Sequence, residues 1–130
     1  MIFCVEDDAG IRDLMIYTLN ASGFRAVGFE NSREFYAALA DTVPELIMLD
    51  IMLPGDDGLA ILRRMKESVR TADIPVIMLS ARGEEYDKLF GFEVGADDYV
   101  TKPFSPKEVM ARIAAVTKRH RAGTAAADRK

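Results

Sequence analysis

The run Leu46-Ile47-Met48-Leu49 sets four apolar residues in a row and ends them abruptly in a carboxylate, Asp50. Apolar residues without alternation suit a strand buried on both faces, as in a parallel sheet covered by helices on each side. Ile51 to Gly58 follows at once and carries Pro54, Gly55 and Gly58, a turn-rich stretch. Asp50 therefore stands at the carboxyl end of a buried strand, the edge where open α/β sheets place their ligands. Position alone makes it the first candidate functional residue.

The rest of the chain alternates between two periods. Met1 to Val5 is a short apolar strand entering Glu6-Asp7-Asp8, and Ala9 to Ser22 then sets Ile11, Leu14, Met15, Thr18 and Leu19 at helical spacing. Gly23 stops that helix, and Arg25 to Phe29 is a second strand. Asn31-Ser32-Arg33-Glu34 has the form of a capping box opening a helix with Phe35 and Leu39 inward. Beyond Asp50, Leu59 to Arg70 reads as a helix burying Leu59, Leu62, Met65 and Val69, with Arg63, Arg64, Lys66 and Glu67 on its other side. Ile74 to Leu79 is another uninterrupted apolar strand, and it meets Ser80. Glu84 to Val94 predicts a more polar helix closed by Gly95, and Asp98 to Thr101 a last strand leading into Lys102-Pro103. Ser105-Pro106-Lys107-Glu108 joins a capping box to proline at the first helical position, opening a helix that runs to about His120. The alternation predicts an α/β fold: a flavodoxin-like, doubly wound, five-stranded parallel sheet in the order 2-1-3-4-5 with five helices.

Composition narrows the function classes. A chain of 130 residues has apolar side chains for one core. It holds nothing near the ~20 consecutive apolar residues of a membrane span and no basic start leading into an apolar signal segment, so a cytoplasmic protein without membrane contact is expected. A net charge of −4 argues against direct nucleic-acid binding, which normally needs a basic face. The single cysteine, Cys4, lies in the first apolar run, where a buried thiol acts as a small hydrophobe; it can build neither a disulfide nor a zinc site.

In a parallel sheet the strand ends share one rim, so Glu6-Asp7-Asp8, Asp50, Ser80 and Lys102 are expected together, with the first and third strands adjacent at the switch point. Carboxylates within ~4 Å of one another repel by several kcal/mol at an effective dielectric of about 20, and a divalent cation relieves that repulsion. Mg2+ (or Mn2+) takes hard oxygen ligands from one or two carboxylates and completes its shell with water and phosphate oxygens. The expected ligands are Asp7, Asp50 and the backbone carbonyl of Met52, with Glu6 supporting through water. Such a site suits phosphoryl transfer to Asp50 as nucleophile, with Lys102 and Ser80 binding the remaining phosphoryl oxygens.

Those residues carry a family resemblance. The chain resembles the receiver domain of a two-component response regulator over residues 1–121, with 122–130 as linker or tail. The matching pieces are Val5-Glu6-Asp7-Asp8, Leu49 to Gly55 with Asp57-Gly58, Pro75 to Ala81, and Gly95 to Phe104, in order and at matching spacing. The resemblance implies phosphorylation of Asp50 by a sensor histidine kinase, Mg2+ dependence and a cis Lys102-Pro103 peptide. It gives Ser80 and Tyr99 switch roles: Ser80 moves toward the new phosphoryl group and Tyr99 turns inward behind it. Met52 and Arg82 fall where the family tunes phosphoryl lifetime. No turnover is expected beyond the domain's own phosphorylation and dephosphorylation.

The similarity is to the OmpR/PhoB subfamily of transcription regulators, whose fourth helix, last strand and last helix form a symmetric dimer face on phosphorylation. The matching positions here are Lys88, Glu93, Asp97, Asp98, Glu108, Arg112 and Arg119, which allow Lys88–Glu108, Asp97–Arg119 and Asp98–Arg112 pairs; Ala114 stands where Glu93 would want a basic partner. The chain stops at Lys130, so the winged-helix output domain of that subfamily is expected outside it. His120 is the only histidine, which makes the phosphoryl donor a separate protein.

Three other classes compete. A dehalogenase-type phosphatase wants a second aspartate two residues after the nucleophile, where Met52 stands. A flavin or nucleotide binder wants a Gly/Ser/Thr-rich phosphate loop after the first strand, where Glu6-Asp7-Asp8 would repel phosphate. The closest competitor is a receiver-like interaction module that works without phosphorylation.

Overall fold

The apolar runs form one parallel sheet. The computed structural model describes residues 1–53, 55–81 and 94–128. In chain order the elements are β1 (Ile2–Val5), α1 (Ala9–Ala21), β2 (Ala26–Phe29), α2 (Ser32–Asp41), β3 (Leu46–Asp50), a two-residue pair β4 (Met52–Leu53) and β5 (Asp56–Asp57), α3 (Gly58–Lys66), β6 (Val76–Ala81), β7 (Asp98–Lys102) and α4 (Pro106–Asp128). The sheet runs β2-β1-β3-β6-β7, all pairs parallel, which is the predicted flavodoxin-like order. Four helices fall among the described residues. The helix predicted at Glu84–Val94, with Arg82, Lys88 and Glu93, lies outside them up to Val94.

Both faces of β3 are covered, as its unbroken apolar run requires. Ile47 and Leu49 point into a layer with Phe3, Val5, Phe35, Leu62 and Met65, under α2 and α3. Leu46 and Met48 point into the other, with Met15, Leu19, Val109 and Ile113, under α1 and α4. Each such side chain, fully buried, contributes ~1.5–3 kcal/mol, so the sheet is a rigid base for whatever its edge carries.

Helix starts are set by short polar side chains. Asp8 Oδ1 accepts from the Ile11 amide at 2.9 Å, Asn31 Oδ1 from Glu34 at 2.9 Å, Asp57 Oδ1 from Leu59 at 3.0 Å and Ser105 Oγ from Glu108 at 3.1 Å. Gly23, at φ 94°, follows the end of α1, where the left-handed backbone suits only glycine readily.

Three expectations need correction. α3 ends at Lys66, not Arg70, and Val69 is 96% exposed. The buried Thr71 hydroxyl donates to the Met65 carbonyl at 2.6 Å, and Lys66 Nζ reaches the carbonyls of Ala72 and Ile74 at 3.0 and 3.3 Å. These contacts take over the chain where the helix would have continued. Leu14 is 46% exposed rather than inward, because Met15, Thr18 and Leu19 form the seam of α1 and Leu14 falls beside it. α4 does not stop near His120 but continues to Asp128 through Ala122 and Ala125 to Ala127, residues with the highest helix propensity; the segment read as linker or tail is helical there.

Candidate functional site

Register decides what meets at the rim. Val5 pairs with Leu49, so Glu6 stands level with Asp50; Asp50 pairs with Leu79, and Ser80 with Thr101, so Ser80 and Lys102 follow on the next two strands. One carboxylate oxygen each from Glu6, Asp7 and Asp50 lies within 4.8 Å of the others. Asp8, the third acid of the triplet, is exposed and caps α1. Of the three acids, Asp8 alone serves as the helix cap, leaving Glu6 and Asp7 to the rim.

Asp50 is 2% exposed and held at both oxygens: Oδ2 accepts from Lys102 Nζ at 2.8 Å and Oδ1 from the Met52 amide at 3.0 Å. Met52 thus presents its N–H to the acid, while its own side chain is 65% exposed. Lys102 Nζ also lies 2.6 Å from Oε1 of the fully buried Glu6, an ion pair that lacks hydrogen-bond alignment. Glu6 Oε2 accepts from the Asp8 amide at 3.3 Å. One ammonium thus serves two acids from neighbouring strands. The Lys102-Pro103 peptide is cis.

α3 closes on Asp50 from the other side. The Gly58 amide donates to the Ile51 carbonyl at 2.8 Å, and a Cβ on Gly58 would collide with the backbone carbonyl of Asp50. Glycine is required here for close approach, the physical reason behind the Asp57-Gly58 pattern.

The crowding shifts the acid–base equilibria of the buried groups. Glu6 is pushed up from 4.5 to about 8, first by burial and then by a hydrogen bond with Asp50, against the opposing pull of Lys102. Burial works to lower Lys102, but its hydrogen bond to Asp50 and its ion pair with Glu6 outweigh that and hold its pKa above the ordinary value. Cys4 is fully buried and pushed up to about 12 by burial and then by the charge of Glu6, so it stays an inert thiol.

The donor set fits a hard divalent cation. Two oxygens bound at ~2.1 Å across an octahedron are ~4.2 Å apart, so carboxylate oxygens already within 4.8 Å need only small shifts to share one ion. Ser80 supplies a second clue. Its hydroxyl is fully buried with no hydrogen-bond partner among the described residues, an arrangement that usually marks strain or a functional role.

The remaining predicted residues are placed as follows. Tyr99 is 6% exposed and already packed in the layer under α2 and α3, so the inward turn expected of it has no outward starting point here. The Asp97 carboxylate accepts from the Val76 amide at 2.8 Å, and Arg119 donates to its backbone carbonyl at 3.2 Å. Arg112 pairs with Asp98 at 3.3 Å within the chain, and the half-buried Glu108 opens α4. Arg12, which carries no motif, was not anticipated: its guanidinium binds the carbonyls of Glu6 and Asp7. The available signal was its position one helical turn after Asp8, which returns its side chain over the loop.

Comparison with known proteins agrees with this geometry. Residues 2–114 match the family model of the response regulator receiver domain. The phosphate regulon transcriptional regulatory protein PhoB of Pseudomonas aeruginosa is 48% identical over 118 residues, covering 91% of this chain and 52% of that protein. PhoB of Escherichia coli K12 is 49% identical over the same shares. The chain spans about half the length of these curated relatives, 52%. Among solved structures, the receiver domain of NtrX from Brucella abortus superposes with a TM-score of 0.86 at 30% identity, covering 91% of this chain and 98% of that one. The receiver domain of Francisella response regulator 1452 gives 0.81 at 28%, covering 91% and 96%. By its sheet order, its acidic rim and a family match over residues 2–114, the chain belongs to the response regulator receiver domains of two-component systems.

Proposed function

We propose that Asp50 accepts a phosphoryl group from a sensor histidine kinase in a Mg2+-dependent reaction, and that the modification switches the domain's surface for dimerisation. The observation that carries this reading is the Asp50 carboxylate itself: buried, oriented at one oxygen by the Met52 amide, neutralised at the other by Lys102, and beside two more acids.

Asp7 and Asp50 would hold the cation directly, the Met52 carbonyl would add a third protein ligand, and Glu6 would act through water; the bound ion supplies charge neutralisation for the phosphoryl oxygens. Asp50 attacks phosphorus as the P–N bond to the donor imidazole breaks and an O–P bond forms. Lys102 is already at Asp50 Oδ2 and follows the negative charge onto the phosphoryl oxygens. Ser80 gains the acceptor it lacks.

The new group adds ~1.5–2 negative charges and three strong acceptors. Ser80 moves toward it, and the shift passes along the β6–β7 ladder, where Met78 pairs with Tyr99. Tyr99, already inward, then anchors the altered face rather than swinging into it. That face carries Asp97, Asp98, Glu108, Arg112 and Arg119, whose contacts within the chain would be exchanged for contacts with a second copy. Control of a transcriptional output domain follows as the wider role, since the PhoB relatives are transcriptional regulatory proteins.

Incubation with acetyl phosphate or phosphoramidate plus Mg2+, read by intact mass, tests the reading. Wild type should gain one phosphoryl group and Asp50→Asn none; a wild-type mass that never rises favours an interaction module independent of phosphorylation. Asp7→Ala should keep its fold and lose Mg2+ binding.

A further inference from the structure

Arg12 has no part in the chemistry above, yet its side chain reaches the site from behind. Nη1 donates to the Glu6 carbonyl at 2.8 Å and to the Asp7 carbonyl at 3.4 Å. Its aliphatic stem lies where a side chain at residue 28 would displace it. A Cβ on Gly28 would stand 2.8 Å from Arg12 Cγ, 2.9 Å from Cδ and 2.5 Å from Ile16 Cδ1. Gly28 is not among the glycines with positive φ, so it is there for space and not for backbone freedom. It lies on the edge strand β2, paired with Cys4 of β1, two residues before Glu6. An arginine on α1 thus lies across Gly28 of β2 to hold the two carbonyls of the acidic turn.

We propose that Arg12, admitted by Gly28, is a positioning residue for the cation site. Its guanidinium fixes the Glu6-Asp7 backbone so that both carboxylates face Asp50. The bonds are charge-assisted and run to backbone, so they set the orientation of the turn without competing for the carboxylate oxygens. Outer-shell contacts of this kind typically change metal affinity by ~10–100-fold when lost. The inference rests on the cation reading proposed above.

Electrostatics alone would act the other way. Removing a positive charge beside a cation site should tighten Mg2+ binding, so weaker binding in a variant lacking the guanidinium points to lost positioning.

The test is Mg2+ titration of the full chain by calorimetry, with urea unfolding of each variant alongside. Arg12→Met keeps the stem over Gly28 and removes the donors; Mg2+ affinity should fall by about tenfold. Arg12→Lys should recover part of the loss. Gly28→Ala should weaken binding similarly, and the double variant should be no weaker than either single one, because both remove the same contact. If Gly28→Ala does not fold, the two Arg12 variants decide. Affinity within twofold of wild type in Arg12→Met, whatever its stability, would overturn the inference while leaving the cation reading intact. A wild-type chain that binds no Mg2+ would overturn the cation reading, and the inference with it.

Discussion

Lys102 and Asp50, 52 positions apart in the chain, meet at 2.8 Å on the rim of the sheet. The same ammonium lies 2.6 Å from Glu6, so it is the charge that lets two buried acids from adjacent strands face each other. Lys102→Ala removes that counter-charge and the group expected to follow the phosphoryl oxygens. The variant should still gain mass on Asp50 but fail to dimerise afterwards. Light scattering that shows a phosphorylation-dependent dimer in Lys102→Ala would contradict the role given to this residue.

Ser80 keeps a buried hydroxyl with no partner among the described residues, at a typical cost of ~1–3 kcal/mol. Ser80→Ala should therefore stabilise the unphosphorylated protein by ~1 kcal/mol in urea while weakening its response to phosphorylation. A variant less stable than wild type would show that the hydroxyl is already satisfied.

Glu6 predicts an unusual pH dependence in metal-free protein. Its pKa in the fold, about 8, lies above the ordinary 4.5, so folding favours its protonated form. That contribution is complete below the ordinary value and is lost as pH rises through about 8. Urea midpoints in the presence of a chelator should fall between pH 5 and 8, and Glu6→Gln should flatten the slope. Equal slopes for the two proteins would refute the assignment.

The end of α3 makes a stability prediction. Met65 is 2% exposed and Val69 is 96% exposed. Met65→Ala should cost ~2–5 kcal/mol and Val69→Ser less than ~0.5 kcal/mol. Comparable losses would restore the longer helix.

These contrasts show what the sequence could and could not reveal. Asp50 was legible because an unbroken apolar run forces a strand buried on both faces, and a polar residue at its end has nowhere to go but the rim. Glu6 and Ser80 followed because each ends a similar run, Lys102 because it closes the last strand before Pro103, and parallel register brings such ends level. The termination at Lys66 was not legible, since it depends on Thr71 and on loop carbonyls that helical periodicity does not see. The Arg12 contact depends on a glycine in another strand, a relationship that exists only once β2 has docked on β1. The packing of Tyr99 was hidden for a different reason: strand alternation leaves open which of two states a side chain occupies.

The central claim is that Asp50, and no other acid of the crowded rim, carries the phosphoryl group. Its most direct test is reductive trapping: phosphorylate with acetyl phosphate and Mg2+, reduce the acyl phosphate with borohydride, and map the peptides by mass. The account predicts homoserine at position 50 alone. Reduction at Glu6 or Asp7, or at no position, would contradict it.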